Sequence, residues 1–216
     1  MTPSPPAIDH LLIGAPDLDA GCDWVEARLG VRPEPGGSHA RWGTRNAILS
    51  LGRACYLEVI APAPALVPPP GGVLFGLDGF AAPRPVAWVL RVEDVAGTAR
   101  RASRSGLDLG EVFTGERVRA DGTRLSWTMS DPAAPRRGGS IPFLIDWGAT
   151  PHPGATAPAA GSVHGIRIGH PDPETVRAHL HELAAPAEVE VEAAPTPRLA
   201  FEIATGDQTV RLVPAE

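Results

Sequence analysis

Lysine is absent from all 216 residues, so the 19 basic side chains are all arginines. Without a lysine amine, neither Schiff-base catalysis nor a phosphate-loop lysine is available. Cysteine is almost as scarce. Cys22 and Cys55 are too few for a disulfide framework and show no metal-ligand spacing. Net charge is −6 with no dense basic run, which argues against a nucleic-acid partner. Arg100, Arg101 and Arg104 come nearest to a cluster and read as the solvated face of a helix. No apolar run is long enough to span a bilayer, so no membrane association is expected. The start, Met1-Thr2-Pro3-Ser4-Pro5-Pro6, lacks the basic-then-apolar pattern of a secretion signal. A cytoplasmic location is the expectation. G-x-S-x-G, H-E-x-x-H, G-x-G-x-x-G and C-x-x-C are missing too, which removes support for hydrolase triads, zinc proteases and a nucleotide cofactor.

What the chain does have is apolar substance and a recurring order of elements. Hydrophobic residues make up 43% and charged residues 20%, a composition of folded globular proteins. Ile8 to Gly14 reads as a strand. Asp17 can cap a helix whose apolar stripe is Leu18, Cys22, Val25 and Leu29, and Gly30 closes it. A Gly36-Gly37 turn follows, then a strand around Asn46 to Leu51, a turn at Gly52-Arg53, and a strand from Tyr56 to Ile60. After a proline- and glycine-rich connection containing Pro68-Pro69-Pro70, the same β-α-β-β-β order returns. It comprises Val86 to Val92, a helix capped by Asp94, a strand near Glu111 to Thr114, a turn at Asp121-Gly122, Arg124 to Met129, and Ile141 to Trp147. A second linker, Ala149 to Ala160, precedes a third copy. There Val163 to Gly169 is a strand, Asp172-Pro173 opens a helix, and strands lie near Val189, Phe201 and Val210. Leu12-Ile13-Gly14-Ala15-Pro16-Asp17 aligns without gaps against Arg167-Ile168-Gly169-His170-Pro171-Asp172. The division expected is residues 1–148 as a two-module domain and 160–216 as a third module.

Two short strands each carry an ionisable residue inside an apolar run. Side chains alternate along a strand, so His10 shares a face with Ile8 and Leu12, and Glu58 shares one with Tyr56 and Ile60. A carboxylate within Tyr56-Leu57-Glu58-Val59-Ile60 is costly to bury without a partner. His10 and Glu58 admit three readings: ligands of a divalent ion, a hydrogen-bonded dyad with His10 as base, or a self-satisfied buried pair.

The repeat, with His10-Leu11-Leu12-Ile13 in its first strand and Tyr56-Leu57-Glu58-Val59-Ile60 in its last, resembles the vicinal oxygen chelate superfamily. Ile8-Asp9-His10, Gly36-Gly37-Ser38-His39, Gly43-Thr44-Arg45-Asn46 and Pro142-Phe143-Leu144-Ile145-Asp146-Trp147-Gly148 resemble its glyoxalase-like branch. The resemblance implies an α+β fold in which two βαβββ modules form a cupped half-barrel sheet, with a third βαβββ-like module beside them. In metal-using members the first and fourth strands of each module supply ligands to one divalent ion. His10 and Glu58 match that pattern in the first module. In the second, the corresponding positions are Ala87 or Trp88 and Leu144, with Asp146 two residues on. In the third, Gly165 falls opposite His10 and His164 opposite Asp9, so His164 is not expected to be a ligand. Half of a metal shell is therefore written here, and His152, held between Pro151 and Pro153, is a candidate third ligand.

Further candidates follow from residue type. Asp146 offers a second carboxylate, catalytic or paired with Arg119 or Arg124. His39 lies on a loop that can lean over a pocket mouth, and Arg45 with Asn46 can hold a carboxylate or carbonyl of a substrate. Trp88, Trp127 and Trp147 can line an apolar wall, or simply form core. His179 and His181 read as surface residues. The resemblance implies a glyoxalase-like enzyme acting by proton transfer on a small oxygen-bearing molecule, of isomerase or lyase type, with or without a divalent metal. The competing reading is a metal-free protein that binds or sequesters a small compound. A lone third module has an apolar face to cover, which a homodimer or the rest of the chain can supply.

Overall fold

Asp17, as expected, caps the first helix. Its side chain accepts from the backbone N–H groups of Asp19 and Ala20, and Gly30 ends the helix in the left-handed conformation at φ 73°. The computed structural model describes residues 4–52, 54–67, 69–118 and 124–214. The turns expected at Asp121-Gly122 and at Arg53, with Arg119 and Pro68, lie outside those residues. The first module is β1 (Ala7–Gly14), α1 (Leu18–Leu29), β2 (Glu34–His39), β3 (Thr44–Ser50) and β4 (Tyr56–Pro62). The second is β5 (Arg84–Arg91), α2 (Val95–Arg104), β6 (Val112–Val118), β7 (Arg124–Ser130) and β8 (Phe143–Asp146). The last is β9 (Ser162–His170), α3 (Pro173–Glu182), β10 (Val189–Ala193), β11 (Arg198–Thr205) and β12 (Gln208–Leu212). Each has the β-α-β-β-β order read from sequence.

The architecture is α+β, with an eight-stranded sheet in the order β2-β3-β4-β1-β5-β8-β7-β6 and a four-stranded sheet in the order β10-β9-β11-β12. Within both of the first two modules the first strand runs parallel to the fourth, and the remaining neighbours are antiparallel. The last module departs from that pairing. Its first strand lies between the second and third rather than beside the fourth. Gly36 and Gly37 also differ from expectation. They sit inside β2, where the register shifts between Pro35 and Gly37, so glycine here serves a bulge and not a turn.

By its internal contacts the chain forms two units built from interleaved segments. One takes the residues up to Asp9, Ala87–His152 and Arg167–Arg198; the other takes His10–Val86, Pro153–Ile166 and the residues from Leu199 onward. In the second of these, α1 packs on β3 and β4 and touches β12. Helix and sheet approach so closely that a Cβ on Gly21 would stand 2.5 Å from Val59 Cγ1. A Cβ on Gly14 would meet Leu77, Val86 and Phe80 within 2.8 Å. In the other unit, α2 packs on β6, β7 and β8 and touches α3. Trp88, Leu90, Leu125, Ile141 and Leu144 are fully buried there. Arg136 braces the approach to β8. It donates to the Pro142 and Asp131 carbonyls and covers the Phe143 ring at 5.5 Å. Burial pushes its guanidinium down to about 10, which still leaves it charged at neutral pH.

Candidate functional site

Parallel pairing of β1 with β4 sets His10 opposite Tyr56 and Leu12 opposite Glu58. The alternation of strand side chains therefore puts His10, Tyr56 and Glu58 on one face, as the sequence predicts. The His10 and Tyr56 rings stack with centroids 4.4 Å apart and planes 13° from parallel. His10 Nε2 stands 3.6 Å from Glu58 Oε2, an ion-pair distance longer than a hydrogen bond. β3 completes the group, because its pairing with β4 brings Asn46 opposite Ile60, two residues from Glu58. Asn46 Nδ2 donates to Glu58 Oε1 at 2.8 Å. All four side chains are buried, Glu58 at 5% exposure. A carboxylate at that depth must be hydrogen-bonded or paired to remain ionised. Here one oxygen has an amide donor and the other faces an imidazole.

The Asn46 amide has one end engaged and the other empty. Its Nδ2 donates to Glu58. That orientation turns Oδ1 away, and Oδ1 is buried with no partner among the described residues. An orphaned buried acceptor is rare enough in folded proteins to need an explanation. A donor from outside the chain, such as a ligand hydroxyl or a water, meets that need.

Other candidates have different employment. His39 Nδ1 lies 3.1 Å from Thr44 Oγ1. Arg45 follows the alternation to the opposite face from Asn46, where NH2 donates to Asp17 Oδ2 at 3.1 Å, tying β3 to the cap of α1. Trp88 is wholly buried, and its indole N–H points at the Ser140 carbonyl 3.4 Å away. Asp146 Oδ1 accepts from the Gly148 backbone N–H at 2.8 Å, the geometry of a tight turn. Arg124 is paired with Glu116 at 2.8 Å. His164 is exposed.

Strand register also assigns the second module's counterparts. Val89 is opposite Phe143 just as Leu12 is opposite Glu58, and each lies five residues before its helix cap, Asp94 or Asp17. Glu58 therefore corresponds to Phe143 rather than to Leu144, and His10 corresponds to Ala87. Apolar residues replace the ionisable pair.

A second polar cluster stands in the unit that contains β8, around a residue that sequence reading passed over. Asp9 is fully buried. The Trp147 indole N–H lies 3.1 Å from both of its oxygens. His152 Nε2 is 3.2 Å from Oδ2, and Arg91 NH1 is 3.7 Å from the same oxygen. Trp127, whose N–H points at Met129 Sδ, lies 5.5 Å from Trp147 between centroids. The signal was present: Asp9 is a carboxylate inside an apolar strand, the same reason that singled out Glu58.

These residues do not make a protein-supplied metal shell. Among the described residues no three His, Cys, Asp or Glu side chains converge to hold an ion. His10 and Glu58 give two donors, and one Glu58 oxygen is already bound by Asn46. His39 and His152 are turned to Thr44 and Asp9.

Comparison with known proteins agrees with this architecture. The profile of the glyoxalase-like domain matches residues 8–184. A hypothetical protein from Staphylococcus aureus superposes with a TM-score of 0.65 at 12% identity, over 95% of this chain and 98% of that one. A variant of Streptomyces coelicolor methylmalonyl-CoA epimerase in complex with 2-nitronate-propionyl-CoA gives 0.46 at 22% identity, over 69% of this chain and 100% of that one. A mutant of 4-hydroxymandelate synthase from Streptomyces coelicolor gives 0.49 at 13% identity, over 98% of this chain and 65% of that one. Curated proteins yield no match. At 12% identity the likeness to the Staphylococcus aureus protein speaks to fold alone.

Proposed function

We propose that this chain, which belongs to the glyoxalase-like domain family of the vicinal oxygen chelate superfamily, is an enzyme that moves a proton on a small oxygen-bearing substrate, with His10 as the base. One observation carries the proposal: the buried line Asn46–Glu58–His10, ending in an Asn46 acceptor that none of the described residues satisfies. The Glu58 carboxylate faces the imidazole 3.6 Å away and sets which way the ring is turned. Asn46 holds the carboxylate in place. The Tyr56 ring, stacked on the imidazole, limits its rotation. The unfilled Oδ1 accepts a hydroxyl or enol proton of the substrate, orienting the carbon acid toward His10.

Deuterium exchange tests this. Hydroxyacetone and related α-hydroxycarbonyl compounds, incubated with the protein in D2O, should lose proton signal from the carbon next to the carbonyl faster than in buffer. His10→Ala should slow that exchange by about 10²–10⁴-fold. Glu58→Gln should have a smaller effect, about 10–100-fold. Exchange equal in the parent and His10→Ala proteins would overturn the proposal. A ligand that raises the melting temperature without exchanging would favour the binding-protein reading instead. The metal-assisted version has its own check, since elemental analysis after chelator-free purification must then show a stoichiometric ion that His10→Ala loses.

A further inference from the structure

We infer, on the footing of the proton-transfer reading, that Asn46 sets the substrate class of the same site. The substrate oxygen that it meets must carry a hydrogen. The site therefore takes an uncharged hydroxyketone or hydroxyaldehyde and rejects compounds that offer only acceptors at that point. Residue type leaves both polarities open, since an asparagine amide donates through Nδ2 and accepts through Oδ1. The fold removes the donor. Nδ2 is engaged by Glu58 Oε1 at 2.8 Å, and what remains is Oδ1, buried with no partner among the described residues. Strand register holds the arrangement. Asn46 stands opposite Ile60 and Ile48 opposite Glu58, so the amide and the carboxyl group are diagonal neighbours on one face of an antiparallel pair.

This reverses the polarity expected from sequence, where Arg45 with Asn46 was to hold a carboxylate or carbonyl. Arg45 is turned to the other face and donates to Asp17. A substrate carbonyl or carboxylate placed at Oδ1 sets one lone pair against another, whereas a hydroxyl there donates its hydrogen. Ile48 and Ile60 are buried on the same face and put apolar surface beside the acceptor. Burial at that depth costs an ammonium far more than a hydroxyl, which favours the uncharged donor. A site with a buried polar group to satisfy discriminates more sharply than an apolar slot that loses one methylene.

Three ketones that differ at one position make the test. Hydroxyacetone carries the hydroxyl, methoxyacetone keeps the oxygen without its hydrogen, and butanone has a methyl group in its place. Deuterium exchange next to the carbonyl is measured for each, relative to its own rate in buffer. The parent protein should favour hydroxyacetone over the other two by about 100-fold or more. Asn46→Ala should abolish that preference, whereas Glu58→Gln, which keeps an acceptor for Nδ2, should lose rate but retain it. An Asn46 with a purely structural role would lower all three rates alike. A reading on the parent protein needs no variant to fold: in 15N–1H spectra the Asn46 side-chain amide signals should move with hydroxyacetone and stay put with butanone. Equal acceleration of hydroxyacetone and methoxyacetone, or a preference unchanged in Asn46→Ala, would overturn the inference and leave proton transfer by His10 standing. Acceleration of none of the three, with the amide signals still answering hydroxyacetone alone, would overturn the proton-transfer reading and keep Asn46 as the selector. No acceleration and no response of those signals would overturn both.

Discussion

At the scale of single residues, the molecule depends on how it treats ionisable groups removed from water. His179 on α3 is a simple case. Burial, reinforced by Arg137, holds its imidazole below the ordinary 6.5, only partly offset by Asp172, and its Nδ1 is buried with no partner among the described residues. The folded state thus binds fewer protons at this position than the unfolded chain. The stability that depends on a neutral His179 is complete above about 6.5 and is lost as pH falls below that toward the depressed folded value. Denaturant midpoints for the parent protein should drop between pH 7.5 and 5.5, and His179→Gln should drop less; equal declines would refute the assignment. His10 and Glu58 were legible in sequence because each breaks an apolar strand and the two-residue period fixes its face. Asn46 was legible only as a polar residue near a ligand. Its hold on Glu58 depends on the register between β3 and β4, which no local pattern encodes. Asp9 and Arg91 meet across long sequence separation for the same reason.

At the scale of elements, two polar fastenings position the candidate face. Asp17 joins the cap of α1 to β3 through Arg45. The hydrogen bond from Ala20, with those from Asp19 and Leu18 and the charge of Arg45, holds its carboxyl below the usual range in spite of partial desolvation. Asp17→Ala should cost about 1 kcal/mol at pH 7, judged from denaturant titration. Because the folded pKa is depressed, that difference should shrink as pH falls below 3.8 and the capping carboxylate is protonated. The other fastening is Ser50, next to Tyr56 in the ladder. The segment after His152 is bound to it three ways: Ser50 N–H to the Pro158 carbonyl, Ala160 N–H to the Ser50 carbonyl, and Ser50 Oγ to the Gly154 carbonyl at 2.6 Å. Ser50→Ala removes only the last of these. It should lower stability by about 1–2 kcal/mol and speed hydrogen exchange at Ala160 more than at Leu49; a uniform change would mean that the strap is not held there.

At the scale of the whole molecule, sequence reading succeeded where the determinants are local. The match between Leu12–Asp17 and Arg167–Asp172 is a strand, a turn and a capped helix in both places. Which strands then pair is a nonlocal matter, and β9 takes a central place in its sheet where β1 in its module lies beside β4 alone. A slip of one residue likewise separates Leu144 from Phe143 as the counterpart of Glu58, and such a slip exchanges the two faces of a strand. No helix among the described residues is long and apolar enough to cross a membrane.

The interleaved construction of the two units bears on how the chain is made. The segment Arg167–Arg198 completes one unit and the stretch from Leu199 onward completes the other, with α3 resting on α2 and β12 on α1. A nascent chain that has emerged only as far as β8 therefore lacks the neighbours that β12 gives α1 and α3 gives α2, and neither unit can close early while synthesis continues. Stalled translation products ending in the 149–160 linker should be a chaperone burden out of proportion to their length.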